Sequence, residues 1–305
     1  MTQISSVLQK VSSCALFALG VEDGSCLLRE YPATLYHSDG SALSYSQLKH
    51  LLTSPAHFQL ALNRQPPTSD SMTFGTLVHL MVLEPEKLLD EFAIFPGRAD
   101  GRDASFKLFR NENQELGRLV VDQHTASQAA LLAEKVRDTH LRGRPLSRYL
   151  EEASVEATIY FREPVTGLRL RSRLDVLHPD LTIDLKTTRF ESAAHFKVDA
   201  LRRHYDMQAA MYTVARRCIH GGAPKPFVII SAQADSPHSV CSFTGSDRFM
   251  ENGAGKLKYA ITLYSACNQT GYWPDLSAEE EIDVEPWLEF KPHRPFASTE
   301  VTTLG

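Results

Sequence analysis

A chain of 305 residues has room for one large domain or two small ones, and its 43% hydrophobic and 23% charged composition is that of a globular protein, which excludes wholesale disorder. No apolar run approaches the ~18 residues of a membrane span, and the five cysteines (Cys14, Cys26, Cys218, Cys241, Cys267) are too widely spaced for a CxxC metal knuckle, which suits a reduced, cytoplasmic protein. The net charge of -5 argues against a uniformly basic nucleic-acid binder, but seven acids and no base lie between Asp275 and Glu289, and without them the balance is +2. Arginines then stand out in clusters, among them Arg169, Arg171 and Arg173, which form either a phosphate-binding face or a solvated surface.

Residues 1–35 read as an N-terminal extension whose short apolar patch at 14–19 predicts a packed helix rather than a signal peptide. Ser44 followed three residues later by Gln47 fits a capping box ahead of Leu48, Leu51 and Leu52 at helical spacing. Pro55 suits the first turn of the next helix. A helix is expected over 74–83, ending before Pro85; residues 96–118, polar and Gly-containing, read as a mobile loop; and an amphipathic helix follows over 121–140.

The texture then changes to strands. Val155, Ala157, Ile159 and Phe161 alternate with Glu156, Thr158 and Tyr160. After a turn at 164–167, Leu168, Leu170, Ser172, Leu174 and Val176 share one face, and Arg169, Arg171, Arg173 and Asp175 the other. A turn at 178–180 leads into Leu181, Ile183 and Leu185 alternating with Thr182, Asp184 and Lys186. Helices near 191–201 and 205–219, strands at 226–232 and 238–244, and a long helix near 246–268 complete a mixed α/β core.

The chemistry concentrates in Asp175 and the segment Asp184-Leu185-Lys186. Asp184 and Lys186 are two apart on one strand and face one side, and the tight turn returns them beside Asp175. Two carboxylates so placed repel each other and ask for a divalent cation; hard oxygen ligands suit Mg²⁺. A lysine beside them can orient or deprotonate a water, and a phosphodiester is the substrate that needs this apparatus. The competing explanation is an ordinary surface Asp–Lys pair. His79, in the middle of an apolar helix, is either a satisfied core histidine or a ligand presented above the carboxylates. Gln208 and Tyr212, at i and i+4, share one helix face.

The set in this order, GxxxH at Gly75–His79, RxD at Arg173–Asp175, DxKTT at Asp184–Thr188 and QxxxY at Gln208–Tyr212, resembles the RecB-like branch of the PD-(D/E)XK nuclease superfamily, and within it the C-terminal nuclease domain of RecE-type exonucleases. Tyr36-His37-Ser38-Asp39, the 43–58 segment, Leu83-Glu84-Pro85 and Gly271-Tyr272-Trp273-Pro274 add to the likeness, which covers about residues 36–290 and leaves 291–305 as a tail. The resemblance implies a restriction-endonuclease-like PD-(D/E)XK core, a mixed central β-sheet flanked by helices. It implies that His79, Asp175, Asp184 and the Leu185 carbonyl hold Mg²⁺, with Mn²⁺ as a substitute. Lys186 then positions or activates the water, and Gln208 and Tyr212 support the site and the DNA. By likeness to lambda exonuclease, Ser44 and Ser46 at a helix N-terminus would take a 5′ phosphate, with Arg171 and Arg173 on the DNA side.

The implied activity is 5′-to-3′ degradation of one strand of linear double-stranded DNA, leaving 3′ overhangs for recombination. The implied partners are duplex DNA, further copies of the chain in a trimeric or tetrameric ring, and a single-strand annealing protein of the RecT/beta type, with no membrane. Two departures stand out. Asp184 occupies a position where many relatives have Glu, and the cysteines of the iron–sulfur relatives are missing, so no iron–sulfur cluster is expected. A structure-specific endonuclease, a catalytically inactive DNA-binding module and a hydrolase of another phosphoester are the alternatives.

Overall fold

The computed structural model describes residues 24–63, 69–190 and 192–275. The apolar patch at 14–19, the acidic segment after Asp275 and the tail at 291–305 lie outside them. In chain order the elements are β1 (Cys26–Leu28), α1 (Ala33–Ser38), β2 (Leu43–Ser44), α2 (Tyr45–Leu48), α3 (Pro55–Asn63), α4 (Asp70–Leu83), α5 (Leu88–Glu91), β3 (Phe92–Phe95), α6 (Ala104–Glu115), β4 (Leu119–Asp122) and α7 (Gln123–Asp138). They continue with β5 (His140–Leu141), β6 (Arg144–Pro145), α8 (Leu146–Glu151), β7 (Ser154–Arg162), β8 (Arg169–His178), β9 (Leu181–Thr188), α9 (Ala193–Arg202), α10 (Tyr205–His220), β10 (Phe227–Gln233), β11 (Val240–Thr244) and α11 (Asp247–Thr270).

The main sheet runs β1-β7-β8-β9-β10-β11, antiparallel along this path except for the β9–β10 pair, and β2 adds a short parallel pairing to β8. β1 lies within the stretch read from sequence as an extension, yet it forms the edge strand on β7. The far side of β8 is shared. Its start pairs with β2 at Leu170 and Arg171, and its end pairs with β9 from Val176 to His178. Asp175 sits in the fork between these two partners.

Helices cover both faces of the sheet. On one side Leu170, Leu174, Ala157, Ile159 and Ile229 pack with Met207, Met211 and Ala215 of α10 and with Leu257 and Ile261 of α11. Phe58 is fully buried there, stacked on Trp273 with ring centroids 5.4 Å apart, while the Pro274 carbonyl accepts the Ala56 N–H at 3.0 Å. The Gly-Tyr-Trp-Pro segment thus clamps the start of α3; emptying the Phe58 site would cost about 3–5 kcal/mol. On the other side Leu77, Val78 and Leu80 of α4 and Leu132 and Val136 of α7 pack against Leu181, Ile183, Leu185, Val228 and Ile230.

Two expectations need correction. Residues 104–115 form a helix, not a loop: Asp103 caps it by accepting the Ser105 N–H, and Phe106 and Phe109, three apart, meet Phe95 at 5.2 and 5.5 Å. The polar composition hid a short apolar stripe. The uniform alternation of β7 and β8 also breaks. Leu174 and Ala157 face the α10 side, but Val176 and its partner Val155 pack on the α4 side. Both strands change face between these pairs, at Asp175 and Glu156, and Glu156 takes a left-handed backbone with φ of 48°.

Candidate active site

Asp184 is fully buried on the central strand β9. Its Oδ1 accepts from Gln208 Nε2 at 2.8 Å, and the same nitrogen reaches Tyr212 Oη at 2.9 Å. Its Oδ2 forms an ion pair with the Lys186 ammonium at 2.7 Å, and Gln208 Oε1 is buried without a hydrogen-bond partner among the described residues. Lys186 lies over the Tyr205 ring, 5.0 Å from its centroid. The period of two on β9 and of four on α10 produces this set, since Gln208 of α10 reaches across to Asp184 of β9.

Asp175 lies on the neighbouring strand β8. Its Oδ2 accepts the Leu185 N–H at 2.7 Å, which bridges the point where β8 and β9 diverge. The same oxygen meets His79 Nε2 at 2.9 Å, and His79 Nδ1 meets Glu156 Oε1 at 3.1 Å. α4 reaches this position because Gly75 lets the helix close on β9: a Cβ there would lie 2.7 Å from Thr187 Oγ1. His79 follows one turn later.

The charges shift one another. Burial, reinforced by Asp175 and opposed by Lys186, pushes the Asp184 carboxyl up to about 6. Burial also works against an ionised Asp175, but His79, Lys186 and the Leu185 amide outweigh it and hold this carboxyl below the usual range. His79, although burial opposes its charge, is raised to about 10 by Asp175 and Glu156. Lys186 is raised in spite of burial by Asp184 and Asp175. Two acids, one lysine and a histidine held as a cation are the pattern of a functional centre.

The donor set fits a divalent cation. His79, Glu156 and Asp175 each offer one ligand atom, all within 4.8 Å of one another, and the Asp184 carboxylate, paired with Lys186, lies on the neighbouring strand β9. Carboxylates with one imidazole suit Mg²⁺ or Mn²⁺. An open cavity of about 1060 Å³ leads to the group, lined by His79, Asp175, Lys186, Thr187, Arg189, Arg203 and Tyr205 among others.

The structure therefore brings together His79, Asp175, Asp184, Leu185, Lys186, Gln208 and Tyr212. The four residues assigned to the 5′ phosphate and the DNA do not line the cavity, and three of them are committed internally. Ser44 is buried, its Oγ 2.8 Å from Ser46 Oγ and 3.2 Å from Gln47 Oε1, and its N–H donates to Gln47 at 2.9 Å. Ser46 is exposed outside the cavity lining. Arg171 is buried, donates to the Asp39 carbonyl and stacks 5.1 Å above Tyr36. Arg173 donates to Glu156 and, at 2.7 Å, to the Tyr31 carbonyl. Glu156 was not singled out in the sequence; an acid on the polar side of the strand preceding Arg-x-Asp, paired through the hairpin at 164–167, was the available signal.

A mixed sheet with helices on both faces, carrying Asp175, Asp184 and Lys186 at the fork of its central strands, defines a PD-(D/E)XK nuclease-type core. The chain belongs to the family described as PDDEXK-like domain of unknown function (DUF3799), whose profile matches residues 44–284. No curated protein matches it. Among solved structures, a protein from Eubacterium rectale provisionally described as an exonuclease superposes with a TM-score of 0.54 at 13% identity, covering 84% of this chain and 97% of that one. The fold is thus shared across very different sequences. The structure of SSO0001 also matches, with a TM-score of 0.34 at 11% identity over 75% of this chain and 81% of the other. No helix among the described residues is long and apolar enough to cross a membrane.

Proposed function

We propose that this protein is a Mg²⁺-dependent 5′-to-3′ exonuclease that degrades one strand of linear double-stranded DNA and leaves 3′ single-stranded overhangs for recombination by strand annealing. The observation that carries the nuclease reading is the placement of the Lys186 ammonium 2.7 Å from Asp184, beside an Asp175 held by the Leu185 amide and His79. When bound, the cation supplies positive charge beside the scissile phosphate. Asp175 and Asp184 would hold it, with His79. Lys186 orients the attacking water and neutralises charge that develops on the phosphate oxygens; an ammonium has no lone pair and is not itself a ligand. Gln208, backed by Tyr212, keeps the Asp184 carboxylate aimed. Arg189 and Arg203 on the cavity wall offer charge to the DNA backbone.

The exonuclease reading is supported by the ordered set of motifs that resembles those of RecE-type enzymes and by the description of the Eubacterium rectale protein of like fold. A ring of subunits and an annealing partner of the RecT/beta type belong to the same proposal, since the chain has no GxxxxGK[ST] motor motif and must otherwise stay on DNA unaided. The test is incubation with linear and covalently closed duplex DNA, with Mg²⁺ and with EDTA. Loss of 5′-end label from the linear form alone, and only with Mg²⁺, is expected. Nicking of closed circles at a comparable rate supports a structure-specific endonuclease instead.

A further inference from the structure

Glu156 stands on β7 between the pairs Val155–Val176 and Ala157–Leu174, directly across from Asp175. Its backbone is left-handed, a state that residues other than glycine keep only where their surroundings hold them. That turn, and the face change around it, aim the side chain at α4, where it is 12% exposed. Both carboxylate oxygens are engaged: Oε1 lies 3.1 Å from His79 Nδ1, and Oε2 accepts from Arg173 Nε. Arg173 is anchored in turn on the Tyr31 carbonyl at 2.7 Å. The opposite nitrogen of His79 faces Asp175 at 2.9 Å. The imidazole is therefore threaded between two carboxylates with different surroundings. Asp175 accepts the Leu185 N–H and lines the open cavity with Leu185 and Lys186; Glu156 is tied back to Arg173 and, through it, to the Tyr31 carbonyl.

We infer that Glu156 is a positioning residue: it accepts the Nδ1–H of His79 and so fixes the ring with Nε2 presented to the cation. A histidine ligand needs its second nitrogen held, because the partner there sets both the tautomer and the ring plane. Arg173 holds Glu156 pointed at His79, so the chain Tyr31–Arg173–Glu156–His79 connects the N-terminal segment to the centre. This assignment rests on the cation site under the proposed function. It gives Arg173 a supporting role in place of DNA contact. As a direct ligand, Glu156 would have to leave His79 or Arg173.

The test is Mn²⁺ binding by electron paramagnetic resonance on the full chain, with melting temperatures recorded for each variant. Glu156→Ala is expected to weaken Mn²⁺ binding roughly 10- to 100-fold. In a His79→Ala background the same substitution is expected to change it by less than about twofold, because the two residues act as one unit. Glu156→Gln keeps the size and an acceptor oxygen, and is expected to lose several-fold, again only when His79 is present; it carries the test if Glu156→Ala does not fold. Equal losses with and without His79 would overturn the inference in favour of an independent ligand, and unchanged affinity in Glu156→Ala would overturn it outright. Wild-type protein that binds Mn²⁺ but leaves linear DNA intact contradicts the nuclease proposal and leaves the role of Glu156 standing. Wild-type protein that binds no Mn²⁺ contradicts both.

Discussion

The Asp175 carboxylate accepts the Leu185 N–H at 2.7 Å, closing the gap where β8 and β9 separate. Under the proposed function one side chain thus supports the sheet and supplies a cation ligand, and the two duties can be separated. Asp175→Asn retains an acceptor for the amide but gives up the ion pair with His79, so its melting temperature should fall less than that of Asp175→Ala, whereas cleavage should fall by more than the roughly 100-fold that loss of a supporting partner costs. Asp175→Ala leaves the buried amide unpaired, a further cost of about 1–3 kcal/mol of stability. Denaturant unfolding beside a cleavage assay checks both. An Asp175→Asn variant with near-normal cleavage removes Asp175 from the site.

The second expectation concerns pH. In the cation-free protein His79 is raised to about 10 from an ordinary 6.5, because Asp175 and Glu156 favour its charged form over the opposing effect of burial. A raised base stabilises the fold in full below pH 6.5, and that contribution is lost as pH climbs toward about 10. With EDTA present, the melting temperature should therefore fall over this window, and His79→Gln should flatten the fall. Cation binding must displace the same proton. Mg²⁺ affinity should rise about tenfold per pH unit across the window, and calorimetry in two buffers of different ionisation enthalpy should register one proton released. At the acid end Asp184, raised to about 6 by burial, should protonate and weaken binding further. Affinity independent of pH from 6.5 to 10 contradicts His79 as a ligand.

Gly75 offers a third test. An alanine there puts a methyl 2.7 Å from Thr187 Oγ1, so either α4 or the threonine must move. Alanine also favours the helix by about 1 kcal/mol, which lets stability and activity part. Gly75→Ala should melt no lower than wild type by more than a few degrees, yet cleave about tenfold more slowly, because a small misplacement of His79 is expensive in rate. Adding Thr187→Ala, which removes the obstructing oxygen, should recover most of that loss relative to Thr187→Ala alone. Full activity in the single variant shows that the close approach does not set the position of His79.

Much of the site was legible because its parts follow simple periods. Asp184 and Lys186 share a strand face, Gln208 and Tyr212 a helix face, and these sets meet because α10 lies on β9. Glu156 was hidden because its place depends on a left-handed residue and on cross-strand register, neither of which alternation reveals. The same irregularity moved Val155 and Val176 to the opposite core from the one their parity implies. Arg171 and Arg173 read as a basic face from their own strand alone. Their partners, Asp39, Tyr36, Glu156 and Tyr31, come from distant segments that only the fold brings near. Helix α6 escaped notice because its apolar stripe is only Phe106 and Phe109, set in a polar run.

The most direct test of the hydrolytic centre is Lys186→Ala, followed by two measurements: the rate of Mg²⁺-dependent cleavage of linear duplex DNA, and DNA affinity in Ca²⁺. Lys186 touches Asp184 and the Tyr205 ring, and it faces the cavity without being a ligand. Its removal should lower cleavage by about 100-fold or more, the scale of a lost transition-state donor, while DNA affinity stays within a few-fold of wild type. Lys186→Arg should fail as well, because a planar guanidinium cannot occupy the point that an ammonium does. Cleavage by Lys186→Ala at near the wild-type rate would mean that Asp184 and Lys186 are an ordinary ion pair and that the centre proposed here does not hydrolyse DNA.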